Sequence, residues 1–527
     1  MLKGILTVGG WTMASRILGF ARDMLIAAIL GAGPVADAFF VALKLPNLFR
    51  RLFGEGAFNA AFVPEFSGLL ATEGPDAARQ FARESFGVMT FWLLFVIVLG
   101  EICMPGVIQV LAPGFAADPD KFALAVSLTR ITFPYLILIC LAALVSGILN
   151  GMERYTAAAA SYVLFNIISI ICMLWLTPYT PTAGHALSWG VTISGVAQLG
   201  LLMWAGYRAG MGLGVPRPRL TPRVRLLLRR MAPGLVGAGV TQLNLAVDVV
   251  IASLLPAGTV SLLYYADRVQ QLPLGVIGTA VGTALLPLLS RQVRAGEAEA
   301  ANDTQNRAIE YTLVLTLPAA LALIVSAFPI MLALFGRGAF DAESARLSAQ
   351  ALAAYGLGLP AFVLVKVLAP GFFARGDTAT PVKIGMIAVA LNLTLNVVLM
   401  MPLRHAGPAM ATSVAALFNV AGLAVVLYRQ GHLRPDAALR RRVGRMVLSS
   451  FAMAGTLYLV QSWLFSAAHG DVTRLLSLAA LVGIGLGAYV IAIQLTGAYD
   501  LREIPRMLSR RRLRAAGGSA INPTPKP

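Results

Sequence analysis

Charged side chains are scarce in this sequence. Asp, Glu, Lys and Arg together make up 13% of it, about half of the roughly 25% usual in soluble domains, which excludes an ordinary soluble fold. Cysteine is nearly absent: Cys103, Cys140 and Cys172 all lie in apolar segments, with neither the Cys-x-x-Cys spacing of a zinc site nor the even, regular spacing of a disulfide framework. The four histidines, His185, His405, His432 and His469, fall in or near expected loops. They leave no Ser/His or Cys/His pair and no metal-ligating cluster, so an enzyme is disfavoured. No Gly-x-x-x-x-Gly-Lys-Ser/Thr loop is present to hold a nucleotide. The first apolar stretch is interrupted by Arg16, Arg22 and Asp23 and has no clear small-residue cleavage site, so it reads as a spanning helix rather than a removable signal.

What is abundant is apolar chain. Hydrophobic residues make up 58% of the sequence and the mean hydropathy is +0.76. A hydrocarbon core about 30 Å thick takes about 20 residues per helical crossing, and by that measure about fourteen helices are expected. They lie near residues 5–31, 35–66, 82–112, 122–150, 156–177, 184–207, 232–255, 260–290, 306–335, 344–374, 380–402, 406–428, 444–466 and 473–497. The fold class is therefore an all-α polytopic membrane protein.

The formal charge of +18 is concentrated in alternate connections. One carries Arg208, Arg217, Arg219, Arg223, Arg225, Arg229 and Arg230, another Arg434, Arg440, Arg441, Arg442 and Arg445, and the tail is also arginine-rich. The loops around Gly33, Thr180 and Ala257 are nearly free of Lys and Arg. By the positive-inside rule both termini are expected in the cytoplasm. Orientation and headgroup contact account for these runs, and nucleic acid is not an expected partner.

The chain also echoes itself with a shift near 225 residues. Asp23-Met-Leu-Ile-Ala matches Asp248-Val-Val-Ile-Ala, Ala32-Gly-Pro-Val matches Ala257-Gly-Thr-Val, and Phe39-Phe40 matches Tyr264-Tyr265. Each echo covers an even number of helices, so the halves form a parallel repeat around a central cavity, the usual machinery of alternating access. The expected organisation is a lobe over 1–208, a basic linker over 209–231, a second lobe over 232–429, two further helices over 430–497, and a basic tail over 498–527.

An ionised side chain near the bilayer centre costs about 2.5–3.5 kcal/mol or more, so it must face a cavity, a partner or the interface. Arg16 and Arg22 lie in the first helix, Arg50 and Arg51 in the second, and Arg268 in the eighth, with Asp23, Asp37, Glu55 and Asp267 as acidic companions. Asp23 follows Arg16 by seven residues and shares its helix face. The inventory is cationic, and arginine's planar fork grips phosphate oxygens two at a time, so a phosphate-bearing anion is the matching cargo. A basic cavity argues against an exporter of cationic drugs. Prolines in the second, eighth and tenth helices (Pro46, Pro64, Pro273, Pro287, Pro360, Pro370) let those helices bend if neighbours satisfy the freed backbone groups.

The segments Ser15-Arg-Ile-Leu-Gly-Phe-Ala-Arg-Asp23, Asp37-Ala-Phe-Phe-Val-Ala, Lys44-Leu-Pro-Asn-Leu-Phe-Arg-Arg51 and Glu55-Gly-Ala-Phe-Asn-Ala-Ala-Phe-Val-Pro64 together resemble the opening of the MurJ (MviN) family of lipid II flippases. Tyr264-Tyr-Ala-Asp-Arg268, Gly282-Thr-Ala-Leu-Leu-Pro287 and Ala374-Arg-Gly-Asp-Thr-Ala-Thr-Pro-Val-Lys383 are similar to later parts of that family, so the resemblance runs the length of the chain. It implies the MOP exporter fold, twelve helices in two lobes plus two C-terminal helices whose groove receives a polyprenyl tail. It implies a bacterial inner-membrane transporter, functional as a monomer, that carries undecaprenyl-pyrophosphoryl-MurNAc-pentapeptide-GlcNAc to the periplasmic leaflet. Family cavity residues fall on Arg16, Arg22, Arg50 and Arg268, with Asp23 and Asp37, while Arg51, Glu55 and Asp267 are gating or structural. Coupling to ions or to the membrane potential is expected, and Asp248, Asn392, Asn396 and Thr412 are candidate oxygen ligands for sodium. A flippase of the same fold for another undecaprenyl-linked glycan is the nearest alternative.

Overall fold

The computed structural model describes residues 2–51, 58–214, 218–466 and 470–498. Glu55, Arg217, His469 and the tail arginines, named above, lie outside them. The described residues are helical, with no strand among them. In chain order the helices are α1 (Leu2–Leu30), α2 (Pro34–Phe49), α3 (Phe58–Thr72), α4 (Pro75–Leu111), α5 (Pro119–Thr132), α6 (Tyr135–Gly151), α7 (Tyr155–Leu176), α8 (Ala183–Arg208), α9 (Pro222–Ser253), α10 (Thr259–Arg294), α11 (Ala298–Val325), α12 (Ala327–Phe335), α13 (Ala342–Phe373), α14 (Ala379–Leu403), α15 (Gly407–Arg429), α16 (Ala437–Ser466) and α17 (Asp471–Leu495). Among the described residues, nine helical stretches are long and apolar enough to cross a membrane. Helices α1, α9 and α10 are as long but fall outside that set. They carry many of the charges discussed below.

Two expected helices are divided within the described residues. The stretch expected over 122–150 breaks between Thr132 and Tyr135, because Pro134 has no amide proton to continue the ladder. A side chain takes one carbonyl beside the break, Thr192 donating to Ile131 at 2.6 Å, while Thr132 at the break donates to the Ala42 carbonyl of α2 at 3.2 Å, the one that Pro46 leaves without its helical partner. The stretch over 306–335 is α11 and α12; that over 35–66 holds α2 and α3, with residues 52–57 outside the described residues. Helix α9 starts at Pro222 rather than near 232. Val224, Leu227 and Met231 recur at helical spacing and are buried, while Arg223 and Arg230 pair with Glu73 and Glu65. Part of the expected basic linker is thus an amphipathic extension of a helix. Proline at the first helical position, where a missing N–H costs nothing, opens α2, α4, α5 and α9.

The chain falls into two compact units. One comprises Met1–Arg268, Leu334–Ala351 and Leu391–Ala411, and the other Val269–Ala333, Leu352–Ala390 and Thr412–Pro527. In the first, α7 and α8 meet through small and polar residues: Ser169 and Ser194 share a hydrogen bond at 3.0 Å, and Gln198 donates to the Ser161 carbonyl at 3.0 Å. Phe58, Phe62, Phe66 and Phe81 stack in series between α3 and α4. In the second, α16 and α17 pack on α11 through Leu313, Met446, Met453, Leu457, Leu481 and Ile493. Such close helix contact relies on small residues, since lipid offers no hydrophobic drive for helices to associate.

Gly358 is one such contact. A Cβ there would lie 2.6 Å from Ser413 Oγ and 2.8 Å from Ser413 Cα on α15. Gly358→Ala is expected to destabilise the protein by about 1–3 kcal/mol through overpacking, lowering its thermal unfolding midpoint in detergent. Gly444→Ala on α16, where a Cβ meets open space, should leave the midpoint unchanged. Equal midpoints for both variants would refute this reading of the α13–α15 contact.

Candidate functional site

Asp23 is the centre of the charged residues in the first unit. It lies on α1, and its residue is 2% exposed. Asn166 of α7 fixes that part of α1 by donating to the Ser15 carbonyl at 3.1 Å. The neighbouring Arg22 donates to Asp23 Oδ1 through Nη2 at 2.9 Å, and its guanidinium stands 5.5 Å from the Phe165 ring centroid.

The second arginine comes from α10. Arg268 Nε lies 3.1 Å from Asp23 Oδ2, an ion pair that is not a directed hydrogen bond. Tyr264, one turn earlier on the same face, orders this arginine. Arg268 Nη2 donates to the Tyr264 hydroxyl at 2.7 Å and its guanidinium lies 4.7 Å from the ring centroid. Tyr264 in turn stacks on Phe40 of α2, with centroids 3.8 Å apart, and its hydroxyl donates to Asp23 Oδ1 at 3.4 Å. One buried carboxylate therefore receives two guanidinium groups and a phenol. The guanidinium of Arg268 keeps 38% of its side chain exposed, so it retains N–H groups for a further acceptor. With two cations on one anion the cluster is net positive, and its free valence suits an anionic oxygen ligand.

The other expected residues are placed as follows. Arg16 is on α1, exposed. Arg50 ends α2, where its Nε donates to Asn47 Oδ1 at 3.4 Å, and Arg51 beside it is exposed. Asp267 is half-buried next to Arg268. Lys44, a further cation, is half-buried on α2. Asp248 on α9 accepts from Asn392 and Asn396 of α14, each at 3.4 Å. Asn396 Oδ1 is buried without a hydrogen-bond partner. In this arrangement both amides turn nitrogen toward Asp248, and Asn392 Oδ1 accepts from Asn396 Nδ2 at 2.6 Å. Thr412, on α15, belongs to the second unit.

Asp37 is not gathered into the arginine cluster. It is 1% exposed, and its oxygens are filled by Lys121 Nζ at 2.8 Å, the Gly258 amide at 2.7 Å, and the amide and hydroxyl of Ser261, both at 2.9 Å. Gly258 and Ser261 flank the start of α10, so Asp37 caps that helix from α2 as an N-cap side chain would, at the positive end of its dipole. Lys121 rests on the Phe115 ring, 4.1 Å from its centroid. Lys121, Ser261 and Tyr264 are residues the sequence reasoning missed as partners. The Tyr264-Tyr265 pair had a signal in the internal repeat, whereas Lys121 had none.

An all-helical chain of long apolar helices with a buried, net-cationic cluster is a polytopic membrane transporter. The fold is that of the MOP exporters: a solved multidrug resistance MATE family transporter of the MOP superfamily in an inward-facing conformation is similar with TM-score 0.65 at 13% identity, covering 83% of this chain and 99% of that one. A solved lipid II flippase MurJ in an inward closed conformation is similar with TM-score 0.76 at 24% identity, covering 93% and 98%. Residues 26–478 match the family described as "Lipid II flippase MurJ". "Probable lipid II flippase MurJ" of Rhizobium tropici is 43% identical over 99% of each chain, and that of Rhizobium meliloti (strain 1021) is 45% identical over 97% of this chain and 96% of its own. "Lipid II flippase MurJ" of Burkholderia cenocepacia is 35% identical, covering 87% and 90%. The chain belongs to the MurJ family.

The Asp37 geometry makes a quantitative expectation. Asp37→Ala leaves Lys121 buried and unpaired, which costs about 3–5 kcal/mol, so its unfolding midpoint should fall sharply. In the double variant Asp37→Leu/Lys121→Leu the loss should be clearly smaller. A double variant as unstable as Asp37→Ala would show that the ion pair is not what Asp37 contributes.

Proposed function

We propose that this protein flips lipid II from the cytoplasmic to the periplasmic leaflet of the inner membrane by alternating access, as a transporter and not an enzyme. The observation that carries this is the sharing of the buried Asp23 carboxylate by Arg22 and Arg268. In the resting cluster Asp23 stands in for the cargo's phosphate oxygens. When the pyrophosphate of undecaprenyl-pyrophosphoryl-MurNAc-pentapeptide-GlcNAc arrives, it takes guanidinium N–H groups that Asp23 had neutralised, and Arg16 and Arg50 extend the basic surface. Arginine suits this exchange because its fork can satisfy a carboxylate in one state and a phosphate in the other with little change in hydration.

In this reading two six-helix lobes, residues 1–208 and 232–429, rock about the site, and α16 and α17 receive the polyprenyl tail. Both termini face the cytoplasm, supported by the arginine-rich connections, and the monomer is the working unit. Membrane potential or an ion gradient drives the cycle. A sodium ion would be held by the Asp248 carboxylate, with Asn392 and Asn396 turning amide oxygens toward it. The partnerless Asn396 Oδ1 supports that assignment.

The test is directional flipping of labelled lipid II in proteoliposomes. Arg268→Ala is expected to abolish flipping while insertion and the unfolding midpoint stay near wild type, and Asp248→Asn to remove any sodium dependence at unchanged potential. Full flipping by Arg268→Ala, or equal transport of an undecaprenyl-linked glycan with a different headgroup, would contradict the assignment of cargo.

A further inference from the structure

In the second unit, Glu310 of α11 is 0% exposed, and both its oxygens are held by arginines. Arg442 of α16 donates to Oε1 at 2.6 Å, and Arg307, one turn earlier on α11, takes Oε2. Arg307 also pairs with Asp436. Asp436 accepts from the Leu439 amide at 2.6 Å, so it caps the first turn of α16. Two carboxylates and two guanidiniums thus form a chain, Arg442–Glu310–Arg307–Asp436, between α11 and α16, which the backbone of α16's first turns closes into a ring. The ring is electrically neutral, unlike the cluster at Asp23. Beside it, Asn302 and Asn306 donate to the Arg434 carbonyl at 3.2 and 2.9 Å, and Asn302 accepts from the Arg434 amide at 2.7 Å. The chain entering α16 is therefore held at both backbone and side-chain level.

Adhesion alone does not need this ring. The apolar strip between α11 and the α16–α17 pair already packs the helices together, and a buried ion ring adds little net stability over apolar residues of the same size. What apolar packing does not supply is direction: it tolerates sliding and rotation, whereas hydrogen-bonded charges fix one register. Register matters here because the faces of the pair differ. One packs on α11, where Tyr489 also donates to the Val314 carbonyl at 2.8 Å. The others expose Phe451, Leu459, Trp463, Leu486 and Leu495, a surface suited to a polyprenyl chain. At the same end of α16, one turn after Arg442, Arg445 donates to the Gly497 carbonyl at 2.8 Å, tying the start of α16 to the end of α17, so a rotation of α16 would carry α17 with it.

We infer that Glu310, with Arg307 and Arg442, forms a positioning ring that sets the rotation of the α16–α17 pair and so the seat of the cargo's polyprenyl tail; this rests on the lipid-linked cargo proposed above. The ring touches no headgroup, so its loss should be felt in proportion to tail length. In proteoliposomes of the full chain, Glu310→Gln and Arg442→Gln are each expected to raise the half-saturating concentration of full-length lipid II by roughly tenfold, while that of a short-tailed lipid II analogue changes less than about twofold. Because the partners act as one unit, Glu310→Gln/Arg442→Gln should be no worse than either single variant. Hydrogen exchange at the amides of residues 437–445 should accelerate by roughly tenfold in Glu310→Gln, a local opening of α16's first turns. Equal losses for both cargoes, or unchanged exchange, would overturn the ring's role. If wild type flips neither cargo, the cargo reading and the tail role fall together; if wild type flips both and only the exchange is unmoved, the ring alone is refuted.

Discussion

The Asp23 carboxylate, buried between Arg22 and Arg268, is the interaction on which the rest depends. Two guanidiniums in a membrane-spanning bundle would be costly without it, and with it they retain one net positive charge. Each element around the cluster has a part in holding that arrangement. Asn166 on α7 anchors α1, Phe40 on α2 supports Tyr264, and Tyr264 orients Arg268. Asp37 fixes the start of α10, three turns of chain away from the arginine it helps place. The cluster is thus prepared by side chains on four helices.

Much of this site was legible in the sequence because the sequence has so few charges to choose from. Arg22, Asp23 and Arg268 stood out as ionised groups in apolar surroundings, and the structure brings them together. What stayed hidden was the use of each charge. Asp37 has the composition of a cavity acid, yet its four hydrogen bonds go to Lys121, Gly258 and Ser261, partners 84 to 224 residues away in the chain. No periodicity or spacing encodes such a distance. Likewise Tyr264 is an aromatic in an apolar helix until the Arg268 guanidinium is seen on its face.

The helices tell the same story. Long apolar runs located most of them, since length and hydropathy are local properties. The breaks were less visible. Pro134 interrupts the stretch over 122–150 whereas Pro46 and Pro105 sit inside continuous helices, and the side chains that take the exposed carbonyls, Thr192 at Ile131 and Thr132 at Ala42, come from other helices. The early start of α9 was masked by its arginines, which pair with Glu73 and Glu65 of a distant segment. Glu310 has no motif or repeat around it to mark it, although it is among the most buried charges of the described residues.

The central claim is that the guanidiniums around Asp23 are kept for an anionic guest. Binding of lipid II, compared with the same lipid-linked glycopeptide lacking its pyrophosphate and measured on the purified protein by native mass spectrometry, tests it most directly. The account predicts that binding requires the pyrophosphate and weakens by a similar factor when either the phosphates or the Arg268 guanidinium is removed. Equal binding of the two ligands would contradict it.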